Sequence, residues 1–168
     1  TEKERNPCMN LKDRMILDEY RKQKQNYVRL EDTAASLLKE KLGELKIDIM
    51  AVEHRVKQEE SLMKKVEKKS DKYRFLKDIT DILGIRVICF FADDVDRIGK
   101  EIENLFTVDW ENSVDKRALI HAKSFGYLSV HYVCSLPEGQ KYPEELSGMK
   151  FEIQVRTALQ HTWAYIEH

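Results

Sequence analysis

Cysteine, proline and glycine are all scarce in this sequence of 168 residues. The 3 cysteines, Cys8, Cys89 and Cys134, are odd in number and far apart, which argues against a disulfide framework or a cysteine metal site. Only 3 prolines and 6 glycines argue against long linkers. No apolar run approaches the roughly 18 residues of a membrane span, and the N-terminus has no signal-type apolar core. We therefore expect a cytoplasmic protein without a membrane segment.

Neither basic nor acidic residues are in excess in this sequence. The 29 Lys and Arg residues nearly balance the 30 Asp and Glu residues, for a formal net charge of -1. Broad binding to DNA or RNA backbones is therefore not predicted, and any anion site must be local. The G-x-G-x-x-G, G-x-x-x-x-G-K-[ST] and G-x-S-x-G signatures are also absent, which argues against Rossmann, P-loop and α/β-hydrolase enzymes.

The apolar patterns predict alternating helices and strands. Residues from Leu11 to about Leu45 have helical spacing and predict one or two packing helices. The order after them is strand, helix, strand, helix, strand, strand, strand, helix. This order predicts an α/β (α+β) fold with a mixed sheet of about five strands flanked by helices. We expect residues 1–45 to serve packing or oligomerisation and residues 46–168 to form a single globular unit.

The stretch from Met149 to Thr157 alternates apolar and polar side chains. A period of two predicts a strand with one dry and one wet face. Glu152, Gln154 and Arg156 share the polar face. A carboxylate, an amide and a guanidinium in line suit a binding or catalytic edge, but a merely solvated strand would show the same pattern.

A second polar face is predicted in residues 46–57 and in the helix that follows. Strand alternation puts Arg55 and Lys57 on one face, and Ser61 would open an amphipathic helix that carries Lys65. Cations beside a helix start, where backbone N–H groups lack partners, can hold phosphates. The alternative is that the lysine-rich helix is only a solvated surface.

The run from Asp78 to Phe91 is strongly apolar from Gly84 onward and predicts a central strand covered on both faces. Arg86 within it needs an anion or a planar stacking partner. Asp81 lies where the strand begins. The alternatives are a turn or cap role for Asp81 and a salt bridge to an acid at the core edge for Arg86.

Two more strands and a helix are predicted nearer the C-terminus. A short strand around Val108 to Trp110 is followed by a polar loop that carries Lys123, and Tyr127 to Ser135 is a β-rich run that carries His131. A helix is predicted from Thr157. A histidine in a strand is more often a structural partner than a catalyst, so the pattern alone gives His131 no role.

Four separated segments carry motifs that are more specific together than singly. They are H-R-V-K-Q-E-E-S at His54 to Ser61, D-I-L-G-I-R-V-I at Asp81 to Ile88, F-G-Y-L-S-V-H-Y at Phe125 to Tyr132, and F-E-I-Q-V-R-T-A-L-Q-H-T-W-A-Y-I-E-H at Phe151 to His168. In this order and spacing they resemble the RelA/SpoT-type (p)ppGpp synthetase domain. The resemblance covers the chain from about Val52 to the C-terminus.

This resemblance implies a nucleotidyltransferase-like sheet and a GTP/GDP pyrophosphokinase. Such enzymes transfer the β,γ-diphosphate of ATP, with Mg²⁺, to the 3′-hydroxyl of GDP or GTP and release AMP. By position, Arg55 and Arg86 would sandwich the adenine, and Lys57, Ser61 and Lys65 would hold the ATP phosphates.

The resemblance also implies a metal pair and an acceptor site. Asp81 and Glu152 would bind Mg²⁺, and Glu152 would also be the candidate base for the 3′-hydroxyl. Tyr127 would stack on guanine. The other residues implied on the acceptor side are Lys123, His131, Gln154 and Arg156.

Two departures from the family pattern affect these expectations. Phe125 and Leu128 replace the Asn and Arg of the common N-G-Y-R-S, which leaves an adenosine nucleotide or a tRNA 3′ end as alternative acceptors. Gln58 and Glu59 stand where Ser-Pro is usual. A third alternative is a non-catalytic nucleotide-sensing module.

The chain is expected to be a synthetase without a hydrolase. The larger bifunctional relatives have a histidine-dependent hydrolase domain upstream, whereas no histidine precedes His54 here. The resemblance is to small alarmone synthetases, which often form homotetramers. We therefore expect ATP and GDP or GTP as ligands and a homo-oligomer, with tRNA a partner only under the alternative acceptor hypothesis.

Overall fold

The computed structural model describes residues 9–115 and 129–166. In these ranges a mixed sheet is combined with helices on its two faces, which confirms the predicted fold class. The main elements are helix α1 Leu11–Glu44, strand β1 Ile49–Val56, helix α2 Glu59–Lys68, strand β2 Leu83–Cys89, helix α3 Ala92–Leu105, strand β3 Thr107–Asp115, strand β4 Val130–Ser135, strand β5 Phe151–Thr157 and helix α4 Ala158–Ile166.

The sheet has 5 strands in the order β1-β2-β5-β4-β3. Strands β2 and β5 are parallel, and the other three neighbouring pairs are antiparallel. The last strand in sequence is therefore the central one in space. Because β2 and β5 are parallel neighbours, the segments that lead into them reach the same edge of the sheet.

One face of the sheet is packed against α1 and α3. The side chains of Ile85, Ile153 and Val155 on this face are buried in the core. Helix α3 approaches closely, since a Cβ on Gly99 would meet the hydroxyl of Tyr132 at 2.3 Å. Alanine at position 99 would therefore require the Tyr132 side chain or α3 to shift.

Helix α1 is a single continuous helix, where the sequence predicted one or two. Asn10 caps it by accepting a hydrogen bond from the backbone N–H of Asp13 at 2.8 Å. Its buried side chains recur at helical spacing and pack on the sheet and on α2. They include Ile16, Tyr20, Tyr27, Leu30, Ala34, Leu38 and Leu42.

Three boundaries or environments differ from those predicted. Helix α2 begins at Glu59 rather than Ser61, because the chain already turns after the extended Gln58. Strand β3 continues to Asp115, well beyond Trp110, by pairing with β4 across an irregular register. Strand β2 is not covered on both faces throughout: Gly84 and Arg86 remain half-buried, because α4 covers only the far end of that face.

No helix in residues 9–115 or 129–166 is long and apolar enough to span a membrane.

Candidate nucleotide and metal site

Strand register assembles a polar surface on the face opposite α1 and α3. Glu53 of β1 pairs with Arg86 of β2, Arg86 pairs with Gln154 of β5, and Gln154 pairs with His131 of β4. Paired residues on neighbouring strands project to the same face, so this row of side chains crosses four strands. Four segments distant in sequence therefore contribute to one surface.

A cleft of about 300 Å³ opens on this surface. Gly84, which pairs with both Arg55 and Glu152, has open space where a side chain would begin. A larger residue at this position would fill the cleft. Six of the predicted site residues line the cleft: Arg55, Lys57, Asp81, Arg86, Glu152 and Gln154.

Asp81 lies in the turn before β2, not within the strand. Its Oδ2 is 2.6 Å from the Nζ of Lys65 and 3.4 Å from the Nζ of Lys57. Its Oδ1 is buried and has no hydrogen-bond partner among the described residues. Burial raises the pKa of Asp81, but the two ammonium groups outweigh it and lower the pKa below the ordinary value, so the carboxylate is charged.

Glu152 is oriented by a hydrogen-bonded chain on β4 and β5. The Nε2 of Gln154 donates to its Oε1 at 3.0 Å, and the Nδ1 of His131 lies 3.1 Å from the same oxygen. The Nε2 of His131 is 2.6 Å from the Oγ of the buried Ser129. Burial raises the pKa of Glu152, but the hydrogen bonds from His131 and Gln154 lower it below the ordinary value. Glu152 is therefore ionised and held in one orientation.

The two carboxylates are close enough to influence each other, since the charge of Asp81 acts to raise the pKa of Glu152. Two ionised carboxylates with an unpartnered Oδ1 match the hard oxygen ligands that Mg²⁺ takes from proteins. No group of three or more His, Cys, Asp or Glu side chains in the described ranges could hold a metal. A cation here would need water or ligand oxygens to complete its shell, which is usual for Mg²⁺.

The two predicted adenine-binding arginines differ in their surroundings. Arg55 is exposed at the cleft wall. Arg86 donates from Nη1 to the Oε2 of Glu53 at 3.3 Å, while its buried Nε has no hydrogen-bond partner among the described residues. The pair with Glu53 is the salt bridge that the sequence left open as an alternative. Both residues are partly exposed, so the pair leaves the guanidinium face accessible to a ligand.

The phosphate-binding candidates on α2 lie beside the cleft rather than in its wall. Lys65 reaches the cleft through its contact with Asp81, and Ser61 is exposed at the third position of α2. Burial lowers the pKa of Lys65, but Asp81 outweighs this effect and raises it above the ordinary value. Lys65 is therefore a permanent cation at neutral pH.

Arg156 contradicts the prediction of a uniformly wet face on β5. It is only 4% exposed, because α4 folds back over the end of the strand. Its Nη2 donates to the Nδ1 of His161 at 2.6 Å. Burial and the Arg156 charge lower the pKa of His161, so its ring is neutral and can accept this bond. Arg156 is thus held under α4, away from the cleft wall.

Two of the acceptor-side predictions, Tyr127 and Lys123, lie outside the described residues, as do the unusual Phe125 and Leu128. Sequence reasoning missed the roles of Ser129 and Glu53. Glu53 shares the face of Arg55 in the strand pattern, which was a usable signal. Ser129 lies two residues before His131 in the predicted strand, so alternation was a usable signal here as well.

Comparison with known families gives one match over most of the chain. Residues 54–168 match the family described as "Region found in RelA / SpoT proteins". The chain is 37% identical over 118 residues to "GTP pyrophosphokinase YjbM" of Bacillus subtilis, covering 68% of this chain and 52% of that protein. It is 30% identical over 126 residues to "GTP pyrophosphokinase YwaC" of the same organism, covering 70% and 57%. The chain thus spans little more than half the length of these curated relatives.

Solved structures resemble the fold over nearly the whole chain. The small alarmone synthetase 1 from Bacillus subtilis superposes with a TM-score of 0.72 at 28% identity, covering 90% of this chain and 77% of that one. The same protein bound to its product pppGpp gives a TM-score of 0.69 at 29% identity, covering 90% and 80%. The complex of the same protein with AMPCPP gives a TM-score of 0.65 at 26% identity, covering 90% of this chain and 77% of that one.

Proposed function

The chain belongs to the RelA/SpoT family, and we propose that it is a GTP/GDP pyrophosphokinase. It transfers the β,γ-diphosphate of ATP to the 3′-hydroxyl of GDP or GTP, makes ppGpp or pppGpp, and releases AMP. The names of the two curated relatives and the pppGpp and AMPCPP complexes of a similar structure support this reaction.

The observation that carries the proposal is the pairing of two ionised carboxylates with two lysines in one cleft. Asp81 and Glu152 line it, Lys57 lies in its wall, and Lys65 contacts Asp81 from α2. Phosphoryl transfer requires little covalent chemistry from the protein, so positioning and charge neutralisation supply most of the rate. This arrangement offers both.

Mg²⁺ held by Asp81 and Glu152 would supply neutralisation of the charge that develops on the transferred phosphates. On the donor side, Arg55 and Arg86 would stack on the adenine. The ATP phosphates would accept hydrogen bonds from the ammonium groups of Lys57 and Lys65 and from the hydroxyl of Ser61. They would also accept hydrogen bonds from the free N–H groups at the start of α2.

Glu152 would act as the base. Both of its described hydrogen bonds reach Oε1, so Oε2 is the atom that would take the proton from the 3′-hydroxyl. The 3′-oxygen then bonds to the β-phosphorus of ATP, the bond from that phosphorus to the α-phosphate bridging oxygen breaks, and AMP leaves with that oxygen. His131 and Gln154 would keep the carboxylate aimed at the acceptor, and Arg156 would support this region from beneath α4. Tyr127 would stack on guanine, with Lys123 near its phosphates.

The second candidate keeps the donor chemistry and changes the acceptor to an adenosine nucleotide or a tRNA 3′ end. Phe125 and Leu128 favour it, because they remove an amide and a cation from the motif that precedes β4. A non-catalytic sensor is disfavoured because both carboxylates are present and ionised.

We further propose a cytoplasmic homo-oligomer in which residues 1–45 serve packing and assembly and residues 46–168 carry the synthetase.

The test is purified protein with γ-labelled ATP and Mg²⁺, offered GDP, GTP, ADP or deacylated tRNA in parallel. We expect label in a 3′-pyrophosphorylated guanosine nucleotide and an equal amount of AMP. Labelled ADP derivatives or labelled tRNA in place of the guanosine product would select the second candidate. Binding of ATP without transfer to any acceptor would select the sensor.

A further inference from the structure

Helix α1 contacts the donor segment directly through a buried tyrosine. Tyr20 is 0% exposed, and its hydroxyl donates a hydrogen bond to the backbone carbonyl of Lys57 at 2.6 Å. The backbone N–H of Lys57 donates to the carbonyl of Ile82 at 2.7 Å, next to Asp81. The main chain of Lys57 is therefore fixed from two sides, and one of the two supports comes from α1.

The next residue on α1 holds the beginning of α2. Arg21 donates from Nε to the Oε2 of Glu59 at 3.1 Å and from Nη2 to its Oε1 at 2.5 Å. This two-point contact suits the planar guanidinium. It orients the Glu59 carboxylate and neutralises its charge. Both side chains are partly exposed, so solvent screens the pair and its contribution to stability is small.

The position of Glu59 makes its charge important. It is the first residue of α2, at the end where backbone N–H groups have no partner within the helix. A carboxylate is attracted to the same partial positive charge that would attract phosphate. An unpaired Glu59 would therefore compete with the donor phosphates and repel them, whereas Glu59 paired with Arg21 does neither.

We propose that Tyr20 and Arg21 are positioning residues of the donor-nucleotide site, Tyr20 by fixing the main chain of Lys57 and Arg21 by neutralising Glu59 at the start of α2. The proposal rests on the proposed function, because it takes the donor to be a nucleoside triphosphate held by residues 57–61. It gives α1 a role in donor affinity in addition to the packing role expected from its sequence.

The charge step is tested with R21A, E59Q and the double variant R21A/E59Q. The readout is the Kd of a non-hydrolysable ATP analogue with Mg²⁺, measured by titration calorimetry. We expect R21A to weaken binding about three- to fivefold, E59Q to stay within about twofold of wild type, and the double variant to recover most of the loss. K64A is the matched control, since Lys64 pairs with Glu60, the second residue of α2, and both side chains are exposed.

The recovery distinguishes neutralisation from packing. If Arg21 only fastened α2 to α1, the double variant would bind as weakly as R21A, and this outcome would overturn the charge step. An R21A protein that binds like wild type would overturn it as well.

The main-chain step is tested with Y20F, which deletes one hydroxyl and keeps the ring. Loss of one hydrogen bond to the Lys57 carbonyl should weaken ATP-analogue binding about threefold or more. Y27F is the matched control, because Tyr27 is a buried tyrosine on the same helix and makes no contact with residues 57–61 that is comparable to the Tyr20 hydrogen bond. Equal effects of Y20F and Y27F would assign Tyr20 to general packing and overturn this step.

Steady-state kinetics add a second readout. R21A and Y20F should raise the KM for ATP and leave the KM for the acceptor and kcat near the wild-type values. The binding measurements do not depend on turnover, so wild-type protein that binds the ATP analogue without transfer would refute the proposed function and still test this inference. Wild-type protein that does not bind the analogue would refute both.

Discussion

The two halves of the cleft hold their charged groups in different ways. In the half that we propose binds the donor, built from β1, α2 and the turn before β2 and called the donor half below, two lysine ammonium groups converge on Oδ2 of Asp81. In the half that we propose binds the acceptor, built from β4 and β5 and called the acceptor half below, a histidine and an amide converge on Oε1 of Glu152. Ion pairs with two lysines hold the carboxylate of Asp81, whereas directional hydrogen bonds hold the carboxylate of Glu152.

Because of this difference, we expect the two halves to control different properties, namely donor affinity and the rate of the chemical step. Removing a cation from the donor half should weaken donor binding and raise the pKa of Asp81, because charge is what that half supplies. Loosening the acceptor half should slow the chemical step, because a base acts only when it is aimed at the proton it removes.

The largest effect is expected where the two halves meet, at the carboxylates. Asp81→Asn and Glu152→Gln should each lower kcat at least about a thousandfold, since each removes a charged oxygen needed beside the reacting phosphate. The melting temperature should stay close to that of wild type. Asp109→Asn is the control: Asp109 is a β3 carboxylate bonded to Asn112 and Lys150, and its loss should leave kcat unchanged. A kcat near wild type in either cleft variant would exclude the proposed mechanism.

In the acceptor half, His131→Asn should lower kcat about ten- to a hundredfold by releasing Glu152. The KM for ATP should not change, because no donor contact is removed. Ser129→Ala should give a smaller loss of kcat, as Ser129 acts on Glu152 only through the His131 ring. Initial rates measured over a range of ATP concentrations at saturating acceptor give kcat and the KM for ATP of both variants, and a change confined to the KM for ATP would contradict the division between the halves.

In the donor half, Lys65→Met should raise the KM for ATP about tenfold, since it removes a charged hydrogen-bond donor. It should also change the pH dependence. Burial raises the pKa of Asp81 and Lys65 opposes that effect, so without Lys65 the pKa rises. A metal ligand must be deprotonated, and activity is therefore lost as the pH falls through this pKa.

The acidic limb of the kcat/KM profile should accordingly shift to higher pH in Lys65→Met. The same substitution at the exposed Lys64 provides the comparison and should leave the limb in place. A limb that does not move in Lys65→Met would mean that another group sets it.

The smallest effect is expected under α4. His161→Gln keeps an acceptor for Arg156 and should change the KM for the acceptor nucleotide less than about twofold, whereas His161→Ala should raise it about two- to fivefold. The KM for ATP should be the same in both variants. Identical behaviour of the two variants would show that the Arg156 hydrogen bond does not matter for the acceptor.

Sequence patterns predicted the helices and strands better than they predicted the burial and contacts of individual side chains. The alternation in β5 placed Glu152 and Gln154 correctly on the polar face, since strand periodicity is local. The same alternation could not foresee that α4 buries Arg156, because that depends on how the chain turns after Thr157. The start of α2 was also missed by two residues, which hid Glu59 as its first residue.

The pairing of Asp81 with the lysines illustrates the same limit for the site. Motifs brought Asp81, Lys57 and Lys65 into one hypothesis, but only the three-dimensional arrangement puts both ammonium groups on one oxygen and leaves the other without a partner. The contribution of Tyr20 and Arg21 had no sequence signal, because the pattern of α1 is that of any packing helix.

The central place of β5 in the sheet determines when the cleft can form during synthesis of the chain. The ribosome makes β1 to β4 first, and until β5 follows, β2 and β4 have no strand between them. A nascent chain that ends before Phe151 therefore lacks one carboxylate and the strand that brings the two halves of the cleft together. Non-local pairing of this kind is slow to form, so we expect the proposed activity to appear only after β5 has been made and has paired with β2 and β4.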